Sequence, residues 1–307
     1  MKGVLLFDIE TTGLKKETTQ LYLVGCGFID DAGVFTIRQW LTESALDERD
    51  VLEDFFEFSK NYDTLMHFNG DGFDIPYVEY KASYYGLDFD LGRFKNTDIY
   101  KEFKRVKKLL GLERANQKAA EAFLGISRED AMNGGALIPY YYEYEKSKSP
   151  EAERLLLLHN HDDVKGLLEI MPALNYGALA RGCYKFIDLA KTGDSATFRL
   201  ELEFPLPVPV EAGDRRMKLY AEDRLLEISL EAEDGEVKIP VSDRENYYYL
   251  PQEDMIVHKS VAQYVDKKFR QKAKKENCFL KIPLSGLDMQ GNVFFEDAAG
   301  KIIAYFM

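Results

Sequence analysis

The chain predicts an α/β fold: a mixed sheet flanked by helices over residues 1–185, then a smaller β-rich (α+β) domain over 186–307. Three observations predict it. An apolar run, Val4 to Phe7, ends in two carboxylates one residue apart, Asp8 and Glu10, followed by the small-residue turn Thr11-Thr12-Gly13. The first half then alternates strand-like and helix-like periodicity. After about residue 185 the period becomes two, with turn signals and clustered prolines.

The elements follow in order. Residues 3–10 read as a buried central strand. Residues 20–30 read as a second, joined to a third at 34–41 through Asp30-Asp31-Ala32-Gly33, so the spacing predicts an antiparallel meander. Residues 47–61 have helical periodicity, with Val51, Leu52, Phe55, Phe56 and Phe58 mostly on one side. Thr64 to Phe68 is a short apolar strand, and 73–85 a helix with Pro76 in its first turn. Helices are expected at 98–110, 115–124 and 134–147. The longest spans 150–176, with Ser149 as cap and Pro150 at the first position. Three strands, a helix, a strand and further helices indicate an α/β sandwich of the ribonuclease H kind. In the second domain, period-two segments fall at 198–204, 217–221, 225–231 and 236–241, with a hairpin turn at Glu233-Asp234-Gly235-Glu236. Pro205, Pro207 and Pro209 exclude a central strand there. A basic helix is expected at about 259–275 and strands at 278–283, 292–296 and 301–306.

Length and composition narrow the class. At 307 residues, 46% hydrophobic and 30% charged, the chain fits a soluble two-domain protein. No apolar run approaches the roughly 20 residues of a membrane span. Met1-Lys2-Gly3-Val4 runs straight into the first strand, leaving no room for a signal peptide, and the scattered Cys26, Cys183 and Cys278 suggest reduced thiols. The expected location is the cytoplasm. A net charge of −13 is awkward for a nucleic-acid partner, although a metal-binding carboxylate cluster would neutralise part of it. Basic residues cluster at Lys101 to Lys108 and Lys267 to Lys275, each run being as consistent with a solvated face as with a phosphate track.

The chemistry concentrates in three segments. On a strand, residues i and i+2 share a face, so Asp8 and Glu10 project together while Ile9 points into packing. Two adjoining carboxylates repel, and a divalent cation is the usual resolution. A solvated strand end is the common fate of an Asp-x-Glu pair, but the apolar run before it argues for burial. In His67-Phe68-Asn69-Gly70-Asp71-Gly72-Phe73-Asp74, both Asp71 and Asp74 lie near a helix start, where an ordinary capping role competes with a ligand role. In His159-Asn160-His161-Asp162-Asp163, His159 and Asp163 are four apart and share a helix face. Asp8, Glu10, Asp74 and Asp163 suit two divalent ions, Mg²⁺ or Mn²⁺, roughly 3.5–4 Å apart, for in-line displacement at a phosphodiester. His159 would take the proton from the attacking water.

Phe7-Asp8-Ile9-Glu10-Thr11-Thr12-Gly13 resembles the first motif of DEDD-superfamily 3′–5′ exonucleases. Phe68-Asn69-Gly70 through Phe73-Asp74-Ile75-Pro76 resembles the second, and His159 to Val164 the third. Gly111-Leu112-Glu113 with Ala122-Phe123-Leu124-Gly125-Ile126-Ser127-Arg128-Glu129-Asp130 resembles the YprB-like branch of ribonuclease H-like proteins. The resemblance covers about residues 3–175. It implies that Asp8, Glu10 and Asp163 hold a first metal and that Asp8 bridges to a second, with Asp74 contributing directly or through water. It also implies His159 as general base and Thr11, Thr12, Gly13 and Asn69 as substrate-binding positions. The chain departs from the common variants in one respect: a His occupies the position four before the last Asp, where a Tyr is usual, and Leu158 stands five before it. His161 points elsewhere and reads as structural, Asp162 competes with Asp163 as the last ligand, and Asp98 reads as a helix cap ahead of a supporting acid.

Three functions remain open from sequence. The leading one is a metal-dependent 3′–5′ exonuclease on single-stranded DNA or RNA, with Tyr140, Tyr141, Tyr142 and Tyr144 offering aromatic surface, some of it core. The others are an endonuclease on structured DNA or RNA and a non-catalytic binding scaffold.

Overall fold

The computed structural model describes residues 3–130, 132 and 134–307. It divides into two compact units: Met1–Glu102 with Ala115–Met171, and Phe103–Arg114 with Pro172–Met307.

The first unit is built on β1 (Val4–Thr11), β2 (Leu21–Ile29) and β3 (Phe35–Leu41), then α1 (Glu48–Ser59), β4 (Thr64–His67), α2 (Asp74–Tyr85) and β5 (Lys95–Asp98). After α3 (Ile99–Val106) come α4 (Gln117–Phe123), α5 (Gly134–Ser147) and α6 (Pro150–Ile170). The sheet order is β3-β2-β1-β4-β5, with β1 at its centre. The expected meander is present: β1–β2 and β2–β3 are antiparallel, while β1–β4 and β4–β5 are parallel. A mixed five-stranded sheet flanked by helices is thus the architecture that the periodicity predicts.

Alternation along β1 sorts its side chains. Leu5, Phe7 and Ile9 enter a core with Leu52 and Phe55 of α1 and Tyr77 and Val78 of α2. Phe7 stacks on Phe55 at 5.2 Å between ring centroids. Asp8 and Glu10 therefore face the other side, where Leu137 and Tyr141 of α5 and Leu156 of α6 pack with Tyr22 and Leu23 of β2. A buried ion pair ties the first side together. Glu48 of α1 receives Lys81 Nζ of α2 (3.1 Å), the Leu21 amide of β2 (2.6 Å) and the Tyr85 hydroxyl (2.7 Å). Every acceptor bond on this buried carboxylate comes from a different neighbour, so its desolvation is compensated.

The start of α6 is as expected, with the Ser149 hydroxyl accepting from the Ala152 amide and Pro150 in the first turn. Its end is not. The helix expected over 150–176 stops at Ile170, passes through a 3₁₀ turn at Met171–Ala173, and resumes as α7 (Leu174–Ala180). Pro172 lacks the amide hydrogen that a continuous helix needs, which accounts for the break. Likewise α3 ends at Val106, short of the expected residue 110.

The second unit is β-rich. It contains β6 (Tyr184–Thr192), β7 (Ser195–Gly213), β8 (Met217–Glu231), β9 (Glu236–Pro240), β10 (Tyr247–Leu250) and β11 (Met255–His258). Then come α8 (Lys259–Ala262), β12 (Gln271–Lys272), β13 (Phe279–Pro283) and α9 (Asn292–Phe306). The sheets are β6-β7-β8, β11-β10-β12 and β13-β9. The predicted turn at 233–236 has Asp234 and Gly235 at φ 55° and 77°, as a tight hairpin requires. The stretch with Pro205, Pro207 and Pro209 belongs to β7, which is central where β6 pairs with it up to Leu202. Beyond that point only β8 pairs, with register breaks at Glu201/Leu206 and Leu206/Val210, so the prolines sit on a locally edge strand.

Two expectations fail here. The basic helix at 259–275 is four residues of α8 followed by turns and β12, because the lysine run carries no apolar stripe to bury. The strands expected at 292–296 and 301–306 are one helix, α9. Its buried residues Phe295, Ala298, Ala299, Ile302 and Ile303 recur at helical spacing, and the intervening Ala298-Ala299-Gly300 imitates a turn. Among the described residues no helix is long and apolar enough to cross a membrane.

The close seating of α6 on the sheet depends on glycine. A Cβ on Gly25 of β2 would overlap Asn160 Oδ1, and one on Gly27 would lie 2.9 Å from Val164 Cγ1. Replacing Gly25 by Val should destabilise the protein by about 1–3 kcal/mol, through overpacking. Thermal unfolding of that variant checks this, and an unchanged Tm would contradict the packing account.

Candidate active site

Three elements remote in sequence converge at the end of β1 that carries Asp8 and Glu10. β1 supplies Asp8 and Glu10. α6 supplies His159 and Asp163, one helical turn apart, and Asn160 between them. The first residue of α2, Asp74, approaches from the end of β4, and its Oδ1 accepts from the Ile9 amide at 3.2 Å. One ligand atom each from Glu10, His159 and Asp163 all lie within 4.8 Å of one another. His159 Nε2 is 3.5 Å from Glu10 Oε1 and 3.2 Å from Asp163 Oδ2.

Each member is braced. Asn160 Nδ2 donates to Asp8 Oδ2 at 2.9 Å, and Asn160 Oδ1 accepts from Gln39 Nε2 at 2.9 Å. His159 Nδ1 is 2.6 Å from Asp130 Oδ2, so the acceptor-only carboxylate fixes the proton on Nδ1 and turns Nε2 toward Glu10 and Asp163. Burial opposes a charged Asp130, but the Met132 amide and His159 outweigh it and hold its carboxyl below the usual range. Arg128 Nη2 binds Asp163 Oδ1 at 2.5 Å while Arg128 Nη1 binds both oxygens of Glu121. That arrangement leaves Asp163 Oδ2 as the oxygen facing the cluster.

The electrostatics show a concentration of negative charge. Burial, then Asp163, Glu10 and Asp74, push the Asp8 carboxyl well above its usual range. Burial, then Asp163, Asp74 and Asp130, do the same to Glu10. Burial raises Asp74 to about 7 against the opposing Ile9 hydrogen bond. Desolvated, mutually repelling carboxylates of this kind fit a divalent cation. Space fits as well: α5 begins at Gly134, where a Cβ would stand 3.4 Å from Glu10 Oε2 and 3.8 Å from His159 Nε2.

The other expected residues fall differently. Asp71 is tied to Asn96 and Lys101. Asp98 accepts from the Tyr100 amide (3.0 Å) in the first turn of α3 and from the Asn69 amide (2.8 Å). Asn69 has a left-handed backbone (φ 64°), and no contact among the described residues joins it to the cluster. Thr11 Oγ1 donates to Gly13 O (2.9 Å) and Thr12 Oγ1 accepts from the Gln20 amide (2.9 Å), so both hydroxyls shape the turn after β1. Asp162 accepts from the amides of Glu129 (2.9 Å) and Asp130 (2.8 Å), which anchors the segment that carries Asp130, and His161 is exposed beside it. Of the four tyrosines of α5, Tyr141 and Tyr144 are buried and Tyr142 is exposed. Sequence reasoning missed Asp130, Arg128 and Asn160 as partners of the cluster. The Arg-x-Asp spacing at 128–130 was visible, but it sits in a segment without periodicity that would orient it.

A family model described as the RNase_H superfamily matches residues 5–175. A stretch of 51 residues is 37% identical to a "DNA polymerase" of Methanocaldococcus jannaschii, covering 17% of this chain and 3% of that protein. The chain thus spans a small fraction of the curated relative that it matches. Among solved structures, E. coli exonuclease I in complex with a dT13 oligonucleotide is 9% identical, with 99% of this chain and 74% of that chain covered and a TM-score of 0.33. Exonuclease I in complex with a dA16 oligonucleotide is 10% identical, with 99% and 73% covered and a TM-score of 0.32.

The raised Asp74 has a consequence for stability. Without metal, the folded protein keeps a proton on Asp74 that the unfolded chain has lost, so this group makes stability fall as pH rises from about 4 to about 7. Asp74→Asn keeps an acceptor for the Ile9 amide and removes that slope, at most about 1.4 kcal/mol per pH unit. In EDTA its Tm relative to the parent should improve between about pH 4 and about pH 8. A gain equal at both pH values would contradict the assignment.

Proposed function

The chain belongs to the RNase_H superfamily, and from that membership together with the convergent carboxylates we propose that it is a metal-dependent nuclease. Specifically, we propose a 3′–5′ exonuclease of the DEDD type, in the YprB-like branch, that hydrolyses single-stranded DNA or RNA. The observation that carries this reading is the approach of Glu10, His159 and Asp163 within 4.8 Å. Asp8 and Asp74 lie close enough to raise or share in the cluster's charge. The proposed catalytic domain is residues 1–185, with 186–307 as an accessory domain.

In this reading Asp8, Glu10, Asp74 and Asp163 would hold two divalent ions, Mg²⁺ or Mn²⁺. Bound there, they would supply Lewis-acid stabilisation of the phosphoryl oxygens and favour ionisation of water. The chain's own groups do the rest. Asp130 holds the His159 Nδ1 proton and favours the positive charge that develops when Nε2 takes a proton from the attacking water. Asn160 fixes the Asp8 carboxylate, and Arg128 fixes that of Asp163. Next to Thr12 a cavity of about 360 Å³, bordered by Tyr80, Tyr84 and Tyr142, offers aromatic faces to unstacked bases. This supports a single-stranded substrate.

A second role for His159 follows from its short distances to Glu10 and Asp163: a direct metal ligand through Nε2. The roles separate in His159→Ala. Mn²⁺ affinity stays within about twofold if His159 is the base and falls about tenfold or more if it is a ligand. Calorimetric titration distinguishes them, and activity falls in both cases.

With Mn²⁺ and 5′-labelled single strands, we expect a ladder that shortens from the 3′ end. It should be absent in EDTA and reduced about a thousandfold or more in Asp8→Ala/Glu10→Ala. Internal cuts would replace the exonuclease by an endonuclease. Absence of both cleavage and Mn²⁺ binding would replace the nuclease by a binding scaffold.

A further inference from the structure

Four cations border one cavity of about 380 Å³ in the second unit, Lys108, Arg244, Lys275 and Lys301, and its acidic groups are Glu245 and the terminal carboxylate of Met307. Lys301 is matched by Asp297 at 2.6 Å. The other three have no ion-pair partner among the described residues. Burial and the adjacent Lys108 and Arg244 hold the Lys275 ammonium below its usual range, and Glu276 offsets them only in part. Lys275 Nζ also stands 4.5 Å over the ring of Tyr305. Cations gathered around a cavity in excess of its carboxylates leave room, in space and in electrostatics, for an anion.

The feature extends beyond one pocket. A second cavity, of about 530 Å³, shares Arg244 and Glu245 and continues along Tyr247, Tyr248, Lys259 and Lys272. Arg270 lies 4.9 Å over the Tyr248 ring. Cations spaced along a groove with aromatic faces between them match a chain of phosphates that carries bases. An acidic peptide would satisfy the cations and leave the tyrosine faces unused. The local basic surface also stands against a chain of net charge −13, so it is focused here and is not a general property of the protein.

We propose that these joined cavities bind single-stranded nucleic acid, with backbone phosphates at Lys108, Arg244 and Lys275 and a base against Tyr247 or Tyr248. This site is independent of whether the first unit cleaves its ligand.

The test is anisotropy of a labelled oligothymidylate of about twenty nucleotides with the full chain in EDTA, over a range of salt. Lys108→Ala/Arg244→Ala/Lys275→Ala should raise Kd about tenfold or more and reduce the salt slope by about 2. Arg244→Ala alone should reduce the slope by about 0.7, which keeps the test open if the triple variant folds poorly. Lys60→Ala/Lys146→Ala, a loss of exposed charge in the first unit, should leave both unchanged. Hydrolysis of the p-nitrophenyl ester of thymidine 5′-phosphate with Mn²⁺ by the parent reads the first unit separately, because that substrate carries one phosphate only. Failure of that hydrolysis in the parent would count against the nuclease and leave the binding result standing. Unchanged affinity and slope in the variants would overturn the proposal. So would displacement of the oligonucleotide by polyglutamate as readily as by unlabelled oligonucleotide, which would assign the surface to an acidic protein segment.

Discussion

The close approach of α6 to β2 is the constraint on which the site depends. Gly25 and Gly27 remove two side chains from the sheet surface, and Asn160 and Val164 occupy the space. Asn160 then reaches Asp8 on the neighbouring strand and Gln39 beyond β2. One step back along the helix His159 faces Glu10, and three steps forward Asp163 does. Move the helix outward by the radius of a methyl group and every one of these contacts lengthens together, since all ride on one rigid element.

Placing this much acid in a desolvated pocket works against folding, and the surroundings show how the cost is contained. Arg128 balances Asp163 from one side and is itself paired with Glu121, so that no guanidinium charge is left uncompensated. A Cβ on Gly166 of α6 would collide with the Glu121 carboxylate, so a third glycine admits the group that anchors Arg128. Asp130 is held in its ionised form by the Met132 amide and His159. What stays unbalanced is the pair on β1 with Asp74, whose carboxyls burial pushes upward. The residual strain is thus confined to the atoms where a cation would relieve it, as expected of a site whose function is set against its stability.

The legible parts of the chain are those governed by a fixed period. The i, i+2 rule oriented Asp8 and Glu10 away from Ile9, and β1 does place Phe7 and Ile9 in the core on the opposite side. The i, i+4 rule joined His159 to Asp163 on α6. Asp130 and Arg128 lie in a connecting segment where no period applies, so their roles emerge only once Asp162 is seen to hold the Glu129 and Asp130 amides. In the second unit the same reasoning mistook α9 for two strands, because small residues at 298–300 interrupt an apolar helix face in the way that a turn would. It also mistook a lysine-rich coil for a helix, where propensity was present without anything to bury.

Anomalous diffraction at the manganese edge from Mn²⁺-soaked crystals tests the central claim most directly. The account predicts a peak bounded by the carboxylates of Glu10 and Asp163, with α6 unmoved on Gly25 and Asn160 still bonded to Asp8. No peak there at saturating Mn²⁺, with Arg128 remaining the sole cation at Asp163, would show that the cluster is a self-contained salt-bridge network and contradict the account.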